Sequence, residues 1–263
     1  MEESREAIER ARKIAAGPLG QQTNRFPLMF AAPLFLGKRL NPSMEPEGNN
    51  GTASLVDFGT GPMVVTAQHV IEHYRKLLDT TSEQDLTFQI GNLKFKKPLN
   101  RVISESKNRD LATLKLEPNE IPKISEQEEE IGRRTYIPHS WPIETVKEKE
   151  WVIFGGFPRK GRDFLAPAHV RFDTYSGGPT DVTSVSEESF VCQFQRENWI
   201  VRDPYKRGDL NDLGGLSGCP VFRIREKSIT IFDLVGFVFE FSQGFDLLYV
   251  RHAHFISREG EIH

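Results

Sequence analysis

The sequence is poor in cysteine, in long apolar runs and in net charge. Only Cys192 and Cys219 occur in 263 residues, so at most one disulfide can form, and a secreted scaffold stapled by several bridges is excluded. No stretch reaches the roughly 20 apolar residues of a membrane-spanning helix; the most apolar early segment, Phe26–Leu36, is broken by Pro27 and Pro33. The opening Met1-Glu2-Glu3-Ser4-Arg5-Glu6 is acidic and lacks the apolar centre of a secretory signal. With 34 Lys and Arg against 37 Asp and Glu the net charge is −3, which gives no global pull toward nucleic acid. A soluble, cytoplasmic protein is expected, with no nucleic-acid partner and no membrane association.

The chain is long enough to bury a core without metal or bridges, and its length suits one large or two small domains. Residues 3–16 set Ala7, Ile8, Ala11, Ile14 and Ala15 at helical spacing, and Gly17-Pro18 closes the run. A short N-terminal helix is therefore expected within residues 1–20. Beyond it the pattern changes to short apolar runs between Gly, Pro, Asn and Asp: Pro27–Leu36, Thr52–Phe58, Met63–Thr66, Leu86–Ile90, Leu93–Phe95, Asn100–Glu105 and Leu111–Leu116. A second set is Trp151–Phe154, His169–Thr174, Ser189–Phe194, Val221–Arg225, Ile229–Val238 and Leu247–Arg251. Many short strands at close spacing point to an all-β barrel or sandwich, with a short helix over Val70–Leu78. Residues 118–150, rich in proline and charge, read as a connector between β domains at 24–117 and 151–258.

Three segments carry chemistry. Thr66-Ala67-Gln68-His69 follows an apolar run; Asp110-Leu111-Ala112-Thr113-Leu114 opens a strand; Gly214-Gly215-Leu216-Ser217-Gly218-Cys219-Pro220 is a glycine-rich turn before Val221-Phe222. Singly, each reads as well as a structural histidine, a turn carboxylate and a plain turn. Together they supply a base, a group to orient it and an activated hydroxyl.

In that order the segments resemble the trypsin/chymotrypsin-like serine proteases, whose pattern is T-A-x-H, D-[IL]-A-[LV]-L and G-x-S-G-x-P. The second pattern departs at Thr113. Leu234-Val235-Gly236-Phe237-Val238 and Trp151–Pro158 resemble the family's later strands. The resemblance implies two six-stranded antiparallel β-barrels, and a trypsin-like serine endopeptidase acting on a protein or peptide through His69, Asp110 and Ser217. It implies an oxyanion hole from the amides of Gly215 and Ser217, and no cofactor or metal. The residue before the serine is Leu216 where zymogen-activated members carry Asp, so activation by an inserted N-terminus is not expected. The loop would be set by packing or by a regulatory protein partner. The specificity position falls on Asn211, which leans against an Arg/Lys preference, although Asp212 stands one place away and a loop shift would restore it; Phe239, Glu240 and Phe241 would wall the pocket.

Ser176-Gly177-Gly178-Pro179 also spells S-G-G-P but leads into a polar run. His69-Val70-Ile71-Glu72-His73 fits an inverted zinc-protease motif, but its first histidine stands at a helix start at best. Gly215–Cys219 lacks the final glycine of a nucleophile elbow. His252 and His254 want a third ligand to be a metal site. Lys94, Lys96 and Lys97 around Phe95 suit a solvated strand edge. Cys192 and Cys219 are expected as free thiols. From another class, a protease fold that binds a partner without cutting remains the alternative.

Overall fold

The computed structural model describes residues 17–38, 48–125, 132–159, 162–166, 169–172, 174–193, 200–201, 213–226, 230–242 and 244–263. The helix expected over 3–16 lies outside them. Gly17-Pro18, read as a stop, instead opens helix α1 (Pro18–Arg25). Proline suits the first helical turn because its missing N–H would be unpaired there anyway.

The first sheet holds β1 (Ala31–Lys38), β2 (Gly48–Asp57), β3 (Pro62–Thr66), β4 (Leu86–Ile90), β5 (Leu93–Lys94), β6 (Val102–Ser106) and β7 (Leu111–Lys115). A hairpin of β9 (Arg162–Ala166) and β10 (His169–Phe172) stands apart. The second sheet holds β8 (Trp151–Gly156), β11 (Tyr175–Val185), β12 (Ser189–Gln193), β13 (Ile200–Val201), β14 (Pro220–Glu226), β15 (Thr230–Ser242) and β16 (Leu247–His252). Apart from the two-residue edge strands β5 and β13, six strands remain in each. Their orders are β4-β1-β2-β3-β7-β6 and β14-β8-β11-β12-β16-β15. Counted along the chain, both sheets read fourth, first, second, third, sixth, fifth, an antiparallel Greek key used twice. In the second sheet β15 pairs β14 and β11 pairs β12, so the six strands close into a barrel.

The short uninterrupted apolar runs have a direct cause. Successive side chains of a strand point to opposite faces, and here both faces are buried. Leu55 and Val64 fill the first barrel, while their neighbours Val56, Met63 and Val65 face a core between the barrels. Val152, Phe154 and Val221 fill the second barrel, while Ile153 and Phe222 face the same middle core. The connector contributes Tyr136 and Ile143 to it. Its phenol donates to the Phe232 carbonyl at 2.9 Å.

The expected strands sit within a few residues of their predicted bounds, and β9, β11 and β13 join them where none was expected. Pro27–Phe30 forms a 3-10 turn before β1. The segment around Ser176-Gly177-Gly178-Pro179 lies in the 11-residue β11, where the register shifts between Gly177 and Thr180. The glycines accommodate a bulge that bends the strand, and Ser176 is buried.

Candidate active site

The Thr66-Ala67-Gln68-His69 segment ends β3 and opens helix α2 (Gln68–Leu78). His69 therefore sits in the first helical turn, where backbone N–H groups have no intrahelical acceptor. Asp110 supplies one from the turn that opens the neighbouring strand β7: its Oδ1 accepts the His69 N–H at 2.9 Å, and its Oδ2 lies 2.7 Å from the ring Nδ1. One carboxylate thus caps the helix and orients the imidazole. Asp110 adopts φ 51°, a left-handed conformation that aspartate tolerates better than most residues.

The Asp110 turn is tied to the second barrel. Arg251, on β16, donates from Nε to the Arg109 carbonyl at 2.8 Å and from its guanidinium to the Glu188 carbonyl at 3.0 Å. Its guanidinium covers the Phe239 ring at 4.3 Å. Arg109 ion-pairs with Glu188 and lies over Phe255.

Ser217 is half-buried in the turn before β14. The turn leans on β2: the Thr52 N–H donates to the Ser217 carbonyl at 2.9 Å, and the Ser54 hydroxyl to the Gly218 carbonyl at 2.6 Å. A Cβ placed on Gly51 would meet Val70, the neighbour of His69, at 3.0 Å and the Ser217 carbonyl at 3.4 Å. The serine loop is thus brought against the start of α2. Among the described residues the Ser217 hydroxyl forms no hydrogen bond, to His69 or elsewhere.

Gly215 has φ +98° and Gly218 φ +92°, backbone states that side chains rarely adopt. A Cβ would stand 2.4 Å from Asn50 Nδ2 at the first and 2.2 Å from the Thr52 carbonyl at the second. Within the loop the amides of Leu216, Gly218 and Cys219 donate to the carbonyls of Leu213, Val238 and Leu216. Among the described residues, those of Gly215 and Ser217 find no acceptor. Leu216 is buried in the second-barrel core.

The remaining expected residues fall as follows. Asn211 lies outside the described residues. Glu240 is exposed, Phe241 packs against the second-barrel core, and Phe239 lies between Arg251 and Tyr249. Thr113, the departure within the Asp110 motif, is buried and donates to the Gly260 carbonyl at 2.7 Å, anchoring the turn near residue 260. His73 stands on α2, and burial, Lys76, Arg159 and His69 hold its imidazole below the ordinary range. Among the described residues no group of three or more metal-ligating side chains gathers. His252 is buried against the Ser186 carbonyl, at 2.9 Å from Nε2. Cys192 and Cys219 are free and buried, with thiols pushed up by burial. No helix among the described residues is long and apolar enough to cross a membrane.

Asn50, Thr52, Ser54 and Arg251 were not anticipated. Polar residues alternating along β2 carry a usable signal, since a strand buried on both faces should not hold them without partners.

No protein-family model matches the chain, and no curated protein does. Among solved structures it is similar to the active form of the Rv3671c protease from M. tuberculosis, with TM-score 0.45, 13% identity, and 90% of this chain and 82% of that one covered. It is also similar to a structure titled for the coupled folding and binding of the Sesbania mosaic virus VPg protein, with TM-score 0.45, 12% identity and 86% and 93% covered. A third is a thermostable serine protease AL20 from an extremophilic microorganism, with TM-score 0.43, 11% identity and 85% and 91% covered. At these values the likenesses add little to the strand order, which stands by itself. Two Greek-key sheets of the same order, packed through a shared core, give this chain the two-barrel fold of the chymotrypsin-like serine proteases.

Proposed function

We propose that the protein is a serine endopeptidase that cleaves protein or peptide substrates through an acyl-enzyme. The observation that carries this reading is the double engagement of His69 by Asp110. With Nδ1–H donated to the carboxylate, the Nε2 lone pair is left to take a proton. Ser217 Oγ attacks the scissile carbonyl carbon and its proton passes to His69 Nε2. The oxyanion is received by the Gly215 and Ser217 amides, which have no other acceptor among the described residues. As the tetrahedral adduct collapses, Nε2 returns the proton to the leaving amine. Water then repeats the sequence on the acyl-serine and frees the acid.

Covalent labelling with a fluorophosphonate tests the reading. The expected result is one adduct on the wild type, lost in Ser217→Ala and kept in Ser176→Ala. No wild-type adduct, under conditions that label a control protease, overturns the reading in favour of a silent binding module. Loss in Ser176→Ala alone would move the nucleophile.

A further inference from the structure

The loop that would receive the oxyanion has an unusual problem of definition. Gly215, its central residue, has the widest conformational freedom of any residue type. Leu216 offers no charge for an inserted N-terminus to pair with. Its two flanking peptide planes must be fixed by other means, and both are.

The Gly214 carbonyl accepts the Arg159 N–H at 2.5 Å. A trans peptide directs its N–H opposite to its carbonyl, so this bond turns the Gly215 N–H away from the Arg159 backbone. The next plane is held from the other barrel: the Thr52 hydroxyl donates to the Gly215 carbonyl at 2.8 Å and accepts the Phe157 N–H at 3.1 Å. Thr52 is fully buried, and its hydroxyl would lie 2.7 Å from a Cβ on Gly156, which is why that position is glycine. Its backbone N–H holds the Ser217 carbonyl. Asn50, one residue pair earlier on the same face of β2, donates from Nδ2 to the Phe157 carbonyl at 3.0 Å and backs the same turn.

We infer that Thr52 is the positioning residue of the oxyanion site, with its hydroxyl locking the Gly215 peptide so that the Gly215 and Ser217 amides stay aimed at one point. The inference rests on the protease reading and adds to it what replaces a charged activation contact: a neutral hydroxyl supplied by the first barrel.

Removing the hydroxyl while keeping the shape tests it. Thr52→Val should lower the maximal rate of fluorophosphonate labelling about 10- to 100-fold, less than the roughly 100- to 1,000-fold for outright loss of one oxyanion donor, because both amides remain and only their aim is lost. The concentration for half-maximal rate should stay within about threefold. Thr52→Ser, which keeps the hydroxyl, should restore most of the rate, and Thr52→Ala should behave like Thr52→Val. Equal labelling of wild type and Thr52→Val overturns this inference and leaves the protease reading standing. Unfolding of both Thr52→Val and Thr52→Ala, with Thr52→Ser folded, also overturns it, since the hydroxyl would then serve the fold. An unlabelled wild type overturns the protease reading first.

Discussion

Asp110 grips His69 twice, at the ring Nδ1 and at the backbone N–H, with 2.7 and 2.9 Å contacts to its two oxygens. An amide in its place can accept at only one of them. Asp110→Asn is therefore expected to misorient the ring and slow fluorophosphonate labelling by about four orders of magnitude, the scale for loss of the orienting carboxylate. Measured rate constants for both proteins check this, and a loss under tenfold would remove Asp110 from the proposed role.

Gly218 gives a prediction about stability. A methyl group there would collide with the Thr52 carbonyl at 2.2 Å and the Thr66 hydroxyl at 2.7 Å, on a backbone of φ +92°. Gly218→Ala should cost about 2–4 kcal/mol in urea unfolding, from overpacking and backbone strain together. Gly59, with φ +113° and nothing within 4 Å, isolates the backbone part, and Gly59→Ala should cost about 1 kcal/mol. Similar costs at both sites would contradict the packing at Gly218.

Leu216 separates this chain from zymogen-activated members of the resembled family. It lies in the second-barrel core, where a Cβ on Gly156 would meet its Cδ2 at 3.1 Å. Leu216→Asp places a carboxylate in this apolar core and should destabilise the fold by about 3 kcal/mol or more. Leu216→Met, nearly equal in volume, should cost less than about 1.5 kcal/mol. Thermal melts of the two variants decide.

His252 makes stability pH-dependent. Burial, aided by Arg251, holds its imidazole below the ordinary range despite the bond to the Ser186 carbonyl. His254 beside it is lowered by burial, His252 and Arg109. The unfolded chain then takes up protons more readily than the folded one, so stability rises with pH across this window. The contribution is complete above the unfolded value of about 6.5 and is lost as pH falls below it toward the folded values. Melting temperatures should drop between about pH 7.5 and 5. The slope should flatten in His252→Gln, which keeps a donor for Ser186 and cannot titrate; an unchanged slope would exclude His252 as a source.

How much of this was legible depended on how far apart the partners lie in the chain. The Thr66–His69 and Asp110–Leu114 segments announced themselves because a strand-to-helix junction and a turn-to-strand junction each have a local pattern. Thr52 and Asn50 did not, since a threonine in a strand reads as an ordinary β-former until its distant carbonyl partner is known. The β11 strand was hidden by Gly177-Gly178-Pro179, whose turn-like composition serves a bulge. Pro18 was ambiguous for a similar reason: the residue that stops one helix is well suited to start another.

The hydrogen bonds from Thr52 to Gly215 and from Ser54 to Gly218 span 163 and 164 residues of chain. Contacts of such separation carry a large closure entropy and form late in folding. Each barrel can acquire its strands before the serine loop has anything to lean on. During refolding from urea, recovery of the β-sheet circular dichroism signal is expected to run ahead of recovery of labelling, so a half-assembled chain would be structured and chemically inert.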